Sequence, residues 1–266
     1  MTAAGGIPES NALAGTGVVV ARPGVAADRF TLLLEQLGAT VLPFPALRIE
    51  PLFGLSVPIG RYDWVIFISA NAVRHGIPHL TRDGDFPARR VAAVGAATAA
   101  ALDRAGRPAD LLPERDFSSE GLLHCQPLRQ VAGQRVLIVR GRGGRETLAR
   151  TLRGRGAAVD YFACYERRFV TPDPAPLARW LTTGAPCLVT LTSSQVAEAV
   201  WRAMPAARHG WLQRAPLACL SEATAHRARS LGAQGEIEIA TDHSDHALVE
   251  AVRTLAGRMS RVIEGA

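Results

Sequence analysis

Short apolar runs rich in β-branched residues alternate along the chain with longer stretches in which apolar residues recur every three or four positions. Three successive pairs are GVVVA with the stretch from Asp28 to Leu37, DWVIFIS with Asn71 to Leu80, and RVAAVG with Thr98 to Ala105. The short runs are typical of buried strands and the longer stretches of amphipathic helices. This alternation predicts βαβ units, and therefore an α/β protein with mainly parallel sheets flanked by helices.

Glycine follows several of the predicted helices. A glycine just beyond a helix is a common stop signal, because it readily adopts the left-handed backbone conformation that ends many helices. The residues concerned are Gly38, Gly106, Gly156 and Gly232. We therefore expect a helix to end directly before each of them.

The strand, turn and helix VAAVGAATAAALDRAG, which begins at Val91, returns as LACLSEATAHRARSLG. Thr98, Ala99 and Gly106 match Thr224, Ala225 and Gly232 at an offset of 126 residues. Further matches are Arg22 with Arg140, Leu34 with Leu152, Gly38 with Gly156, Val41 with Val159 and Phe44 with Phe162 at an offset of 118, Ser69 with Ser193 at 124, and Ser119 with Ser244 at 125. Such a long repeat indicates a duplicated α/β domain, and thus two similar lobes. The repeats alone place the boundary between them near Gly133.

Paired hydroxyl residues follow the predicted strands in both halves. Ser69 and Ser193 follow apolar strands, and Thr98 and Thr224 follow the next strands and open helices. Residues of these types at a helix start are most often N-caps. They also lie beyond the carboxyl ends of parallel strands, where open α/β sheets bind ligands and where helix N-termini attract anions. The loop RGRGGRE, from Arg140 to Glu146, adds arginine and glycine at the same edge, although it is not a dinucleotide-binding fingerprint.

The chain carries a net charge of +6 and contains no lysine. A Walker A loop and a Schiff-base or pyridoxal enzyme both need a lysine, so these classes are excluded. Arginine binds carboxylates and phosphates through its planar fork. The composition therefore favours an acidic partner.

Four well-separated cysteines show none of the close pairs typical of zinc or redox motifs. They are Cys125, Cys164, Cys187 and Cys219. We expect reduced and mostly buried thiols. Because no apolar run approaches the length of a membrane span and the first residues lack a signal-peptide pattern, we also expect a soluble cytoplasmic protein.

Nearly the whole chain, from about Val18 to Ala256, resembles the uroporphyrinogen-III synthase family. The order and spacing of several segments carry the resemblance: VARPG, LLEQLGATVLPFPAL, DWVIFISANAV, AAVGAATAAAL, FSSEGLL, VLIVRGRGGRETLARTLRGRGAAVDYFACYERR, VTLTSSQV and EATAHRA. Two details depart from the family pattern: Ser221 stands where a glycine like Gly95 is expected, and SAN replaces Thr-Ser-Xaa after the second strand.

The resemblance implies a cofactor-free, metal-free enzyme that closes hydroxymethylbilane into uroporphyrinogen III, with loss of water and inversion of the last pyrrole ring. It further implies two flavodoxin-like lobes around a cleft, which exchange their first strand and helix. The oligomeric state does not follow from the sequence, and a monomer is the default expectation. On this basis residues 1–45 and 168–266 form one lobe, residues 49–163 form the other, and residues 46–48 and 164–167 are the two crossing strands. We expect the substrate, which has eight carboxylates, to contact Arg22, Ser69, Ala70, Asn71, Thr98, Ser119, Arg140, Gly141, Arg145, Thr192, Ser193, Ser194 and Thr224.

Tyr165 is the candidate catalytic residue. At an offset of 118 it matches Leu47, so the fold accepts an apolar residue at the equivalent position of the other crossing segment. The family pattern places a tyrosine here, and its phenol could donate a proton to the departing hydroxyl. A tyrosine that only packs at a lobe junction is the alternative interpretation.

Two other functions remain open from the sequence. A non-catalytic module of the same fold would bind a tetrapyrrole or another acidic ligand without turnover. Nucleic-acid binding fits the basic charge, but the arginines are scattered and no recognition motif is present. The stretch DHSDH, from Asp242 to His246, has a His-x-x-His spacing, yet it matches a helix-capping segment of the first half and is interpreted as a polar loop.

Overall fold

In a computed structural model that describes residues 11–22, 25–81 and 86–264, the strands form two separate five-stranded sheets. In chain order the strands are β1 (Gly17–Val20), β2 (Thr40–Pro43), β3 (Leu47–Pro51), β4 (Tyr62–Phe67), β5 (Ala88–Ala93), β6 (Arg135–Gly141), β7 (Ala158–Phe169), β8 (Cys187–Leu191), β9 (Leu217–Cys219) and β10 (Ile237–Ile239). The predicted α/β class with mainly parallel sheets is confirmed, because the adjacent pairs that include β1, β4, β6, β8 or β9 are parallel.

Helices separate most of the strands along the chain. They are α1 (Val25–Gln36), α2 (Ala70–Leu80), α3 (Ala96–Arg104), α4 (Ser119–His124), α5 (Gln126–Arg129), α6 (Thr147–Gly154), α7 (Ala175–Thr182), α8 (Ser194–Ala203), α9 (His209–Arg214), α10 (Glu222–Ser230) and α11 (Asp245–Glu264). Among the described residues, no helix is both long and apolar enough to cross a bilayer.

The chain divides into two units, Met1–Arg48 with Arg168–Ala266, and Ile49–Arg167. The sheet of the first unit has the order β10-β9-β8-β1-β2, and that of the second has the order β3-β7-β6-β4-β5. The duplication accounts for this likeness, since β5-β4-β6-β7 repeats the order of β9-β8-β1-β2. The first two strands of each sequence repeat thus belong to the same sheet as later strands of the other repeat.

Each sheet is covered by apolar residues on both faces. In β1, Val18 and Val20 belong to one buried cluster of the first unit, and Val19 belongs to another. In β6, Val136 and Leu137 belong in the same way to different clusters of the second unit. Successive side chains of a strand point to opposite faces, so a continuous apolar run is what a sheet covered on both sides requires.

The predicted helix ends are confirmed. Four glycines have positive φ angles directly after the last turn of a helix: Gly38 (86°), Gly106 (71°), Gly156 (84°) and Gly232 (104°). A residue with a Cβ is strained in this conformation, which explains why glycine recurs at each of these turns.

The structure corrects the alignment of the two serine-containing caps. Ser118, and not Ser119, is the N-cap of α4, where its Oγ accepts a hydrogen bond from the Gly121 N–H at 3.0 Å. Ser244 makes the equivalent bond with the Ala247 N–H at 3.1 Å. The structural match therefore joins Ser118 to Ser244 at an offset of 126, the same offset that relates Thr98 to Thr224.

Burial makes three of the four thiols unreactive. Desolvation raises the pKa of Cys164, Cys187 and Cys219 to about 12, and Cys125 alone is partly exposed. A thiol with a raised pKa carries little of the reactive thiolate at pH 8. We expect a disulfide reagent to label one thiol per native chain and four after denaturation in guanidinium chloride. Rapid labelling of three or four thiols in the native protein would contradict this burial.

Candidate functional site

Tyr165 and Ser69 meet at the carboxyl end of the sheet in the second unit. Tyr165 lies near the end of β7, where it is opposite Gly141 in the pairing with β6. Ser69 follows β4 after one intervening residue and directly precedes α2. Although the two residues are far apart in sequence, the Tyr165 hydroxyl lies 3.0 Å from Ser69 Oγ, and either group can be the donor. The sheet therefore brings the candidate catalytic residue and a candidate binding residue into a direct hydrogen bond.

Ser69 is held in place by the helix that it begins. It is the N-cap of α2, and its Oγ accepts a hydrogen bond from the Ala72 N–H at 3.1 Å. Ala70 and Asn71, two other candidate residues, form the first positions of this helix and are partly exposed. The first N–H groups of a helix lack partners within the helix, so this edge suits an anion.

Gly141 lets the ring of Tyr165 lie against the backbone of β6. A Cβ added at Gly141 would lie 2.7 Å from both Cε2 and Cζ of the Tyr165 ring. The strand pairing shifts register between Arg140 and Gly141, which places Tyr165 opposite the glycine. The absence of a side chain at Gly141 is thus a steric requirement for the position of the phenol.

Two further side chains surround Tyr165. Arg167 Nη2 donates a hydrogen bond to the phenol oxygen at 3.5 Å, and its guanidinium carbon lies 5.7 Å from the ring centroid. The His75 ring lies 5.9 Å from the Tyr165 ring, measured between centroids. Burial, and after it the charge of Arg74, lowers the pKa of His75, so its imidazole is neutral at neutral pH.

Sequence reasoning missed both of these neighbours. Arg167 is two positions after Tyr165 in the same strand, and residues at this spacing share a face of the sheet. The strand period could therefore have indicated Arg167. His75 lies six positions after Ser69 within α2 and shows no motif, so only the packing of α2 on the sheet reveals it.

The side chain of Arg140 binds to groups of the loop that follows β6. Arg140 is buried, and its Nη1 lies 2.9 Å from Glu146 Oε1. Its guanidinium also donates to the Gly143 carbonyl and lies 4.7 Å from the centroid of the Tyr161 ring. Hydrogen bonds from Tyr161 and from Arg140 hold the pKa of Glu146 below its usual range. Arg140 therefore shapes the loop, whereas Arg145 extends outward with 73% of its side chain exposed and pairs with Glu120.

In the first unit, Arg22 has a role that parallels that of Arg140. It follows β1, forms an ion pair with Asp245 at the start of α11, and lies with its guanidinium carbon 5.6 Å from the Phe30 ring centroid. Both arginines were predicted as substrate ligands. The structure places each of them against a carboxylate and an aromatic ring of its own unit.

Three candidate residues lie together after β8 in the first unit. Thr192 and Ser193 follow the strand, and Ser193 is the N-cap of α8, with its Oγ 3.2 Å from the Val196 N. Ser194 donates from its hydroxyl to the Ala223 carbonyl at 3.2 Å. The hydroxyl groups of Ser193 and Ser194 therefore form hydrogen bonds with the first turns of α8 and α10, respectively.

The interpretation of Thr98 and Thr224 as helix caps is wrong. The caps are Gly95 and Ser221, and the two threonines lie within the first turns of α3 and α10. They are 4% and 1% exposed, respectively. One departure from the family pattern, Ser221 in place of a glycine, now has a structural reason. Its Oγ accepts a hydrogen bond from the Thr224 N–H at 3.3 Å and lies 3.0 Å from Thr224 Oγ1.

Thr224→Val should lower the free energy of unfolding by about 1 kcal/mol, since it removes one buried hydroxyl with its bond to Ser221 and keeps the side-chain shape. Chemical denaturation of the variant and of the parent protein measures the difference. A change below about 0.3 kcal/mol would show that the Ser221–Thr224 bond adds nothing to stability.

The stretch from Asp242 to His246 contains the serine that caps α11, Ser244. The Ser244 N–H donates to Asp242 Oδ1 at 2.7 Å, and Asp245 pairs with Arg22. Within residues 11–22, 25–81 and 86–264, no group of three His, Cys, Asp or Glu side chains is arranged to hold a metal ion. Asp242, Ser244 and Asp245 are thus engaged at the start of α11.

Comparisons with known proteins agree with one another. The family model described as Uroporphyrinogen-III synthase HemD matches residues 28–250. The uroporphyrinogen-III synthase of Salmonella typhimurium is 36% identical over 248 residues, which cover 89% of this chain and 99% of that protein. The uroporphyrinogen-III synthase of Escherichia coli is 32% identical with the same coverage.

Two solved structures share the fold at low identity. Uroporphyrinogen-III synthetase from Helicobacter pylori matches with a TM-score of 0.61 and 15% identity, over 91% of this chain and 100% of that one. A mutant uroporphyrinogen III synthase from Thermus thermophilus matches with a TM-score of 0.57 and 22% identity, over 92% of this chain and 99% of that one. At these identities the likeness establishes the architecture.

Proposed function

Because this chain belongs to the uroporphyrinogen-III synthase family, we propose that it is a lyase that closes hydroxymethylbilane into uroporphyrinogen III. The reaction breaks the bond between a carbon and its hydroxyl, releases water and joins the two ends of the linear tetrapyrrole. The last pyrrole ring is inverted, because it is attacked at its substituted carbon through a spiro intermediate. Without an enzyme, closure gives the uninverted isomer I.

Binding is the first task of such an enzyme, and the charge of the chain suits it. The substrate carries eight carboxylates, and because the chain contains no lysine, its permanently cationic side chains are all arginines. Partly exposed helix starts after β4 and β8 add N–H donors at the carboxyl edge of each sheet. Holding the bilane in a folded conformation favours bond formation at the substituted carbon of the last ring, because orientation replaces a search among conformers.

Loss of the hydroxyl is the second task, and it needs a proton. The single observation that carries this part of the proposal is the hydrogen bond of 3.0 Å between Tyr165 and Ser69 at the carboxyl edge of β4 and β7. The guanidinium of Arg167 donates to the same phenol oxygen, so the phenol proton is free to be given toward Ser69. The phenol of Tyr165 is thus the source of acid at this edge for the loss of the hydroxyl.

The isomer of the product distinguishes the synthase from a module that only binds tetrapyrroles. Freshly prepared hydroxymethylbilane is incubated with the protein, the product is oxidised, and the uroporphyrin isomers are separated by chromatography. We expect isomer III to dominate. If isomer I accumulates at the rate seen without protein, the proposed function is wrong. The prediction of a monomer is checked on the same preparation by size-exclusion chromatography with light scattering.

A further inference from the structure

The phenol of Tyr165 is buried, whereas Ser69, with which it shares a hydrogen bond, is partly exposed. Tyr165 is 0% exposed, and Ser69 is partly exposed at the start of α2. Gly141, His75 and Arg167 lie around the phenol and its ring. A substrate that docks at this edge of the sheet therefore meets the Ser69 hydroxyl first.

The duplication shows that a capping serine does not need a phenol. Ser193, the counterpart of Ser69 at an offset of 124, caps α8 in the same way, with its Oγ 3.2 Å from the Val196 N. At an offset of 118 the position of Tyr165 is taken by Leu47, which has no hydroxyl. The chain from Arg167 through Tyr165 to Ser69 is thus an addition to the cap, and helix stability does not explain it.

We propose that Ser69 is the catalytic residue that hands the proton to the substrate, and that Tyr165 refills it. This rests on the proposed function. As the carbon–oxygen bond breaks, both of its electrons stay on oxygen, which takes the Ser69 hydroxyl proton and leaves as water. Ser69 Oγ takes the phenol proton in the same step, and the phenolate left on Tyr165 accepts the hydrogen bond of Arg167. The proton that the new macrocycle loses when its last ring regains aromaticity returns along the same path, so the site is restored.

Ser69→Gly removes the hydroxyl and keeps a residue that is tolerated at an N-cap. We expect kcat to fall about tenfold to a hundredfold with KM changed less than about threefold, because the lost group acts in the transition state. Ser118→Gly is the matched control, since Ser118 caps α4 in the same unit through an equivalent bond of 3.0 Å to the Gly121 N–H. Its kcat should stay within about twofold of the parent value.

Ser69→Thr and a double variant separate the relay from a structural role. Ser69→Thr retains a hydroxyl and a capping oxygen, so we expect kcat within about fivefold of the parent. The double variant Ser69→Gly with Tyr165→Phe should have a kcat within about twofold of that of the slower single variant. Two groups that act in series lose their function together, so their losses do not multiply.

Several outcomes would overturn the relay. These are unchanged kcat in Ser69→Gly, an equal loss in Ser118→Gly, failure of Ser69→Thr to retain activity, and losses that multiply in the double variant. The isomer formed by the parent protein is measured first. If the parent makes isomer III and the serine variants behave in one of these ways, the relay is wrong while the proposed function stands.

Discussion

Tyr165→Phe is expected to lower kcat about tenfold to a hundredfold and to change KM little, because the phenol acts on the departing hydroxyl in the transition state. The residual product should remain isomer III, since the fold of the bound bilane, and not the proton donor, decides which carbon is attacked. Stability should change by about 1 kcal/mol, as the phenol loses its hydrogen bond with Ser69 and the longer one from Arg167. Steady-state rates, isomer analysis and a denaturation curve on one preparation measure all three.

Tyr62→Phe is the matched control for this variant. Tyr62 is also buried in the second unit, and its hydroxyl donates to Asp160 Oδ2 at 2.9 Å, but it lies at the start of β4, away from the carboxyl edge. The variant should lose a similar amount of stability and keep the parent kcat. An unchanged kcat in Tyr165→Phe would remove Tyr165 from the mechanism and leave positioning and backbone groups to account for the rate.

Among substitutions that add one methyl group in this site, Gly141→Ala is expected to reduce stability and activity most. The added Cβ would lie 2.7 Å from two ring atoms of Tyr165, so either the ring or the end of β6 must move. Overpacking of this kind costs about 1–3 kcal/mol of folding free energy. Displacement of the phenol from Ser69 should also lower kcat at least about tenfold, as a small misplacement of a reacting group has a large effect on rate.

Gly154→Ala tests whether this effect is local. Gly154 is the last residue of α6, its φ is not positive, and an added Cβ meets no atom within 4 Å. Alanine should be neutral or stabilise the helix by up to about 1 kcal/mol, with activity retained. If Gly141→Ala keeps the parent kcat, the close approach of Gly141 does not fix the phenol in its working position.

Local features of the fold were predictable because they depend on neighbours in sequence. Strand and helix alternation, the glycine at each helix end and the duplication all follow from short-range patterns, and the structure confirms them. The N-cap of α4 shows the limit of such patterns. Ser118 and Ser119 have the same side chain, and only the hydrogen bond to the Gly121 N–H decides between them.

The site was less predictable, because its contacts join residues that are distant in the chain. Sequence reasoning selected Tyr165 and Ser69 separately, and the parallel pairing of β4, β6 and β7 brings them together. It also named Arg140 as a candidate ligand, and the structure places this guanidinium against Glu146. Which carboxylate lies beside an arginine depends on neighbours in space, and the sequence pattern does not show them.

We propose above all that this chain turns over hydroxymethylbilane and directs its closure. The most direct measurement is the amount of isomer III formed per mole of protein when the substrate is in hundredfold excess, with the spontaneous product subtracted. We expect many moles of isomer III for each mole of protein, in proportion to the protein added. Isomer III that stops at one mole per mole of protein, or isomer I alone at the spontaneous rate, would contradict the account.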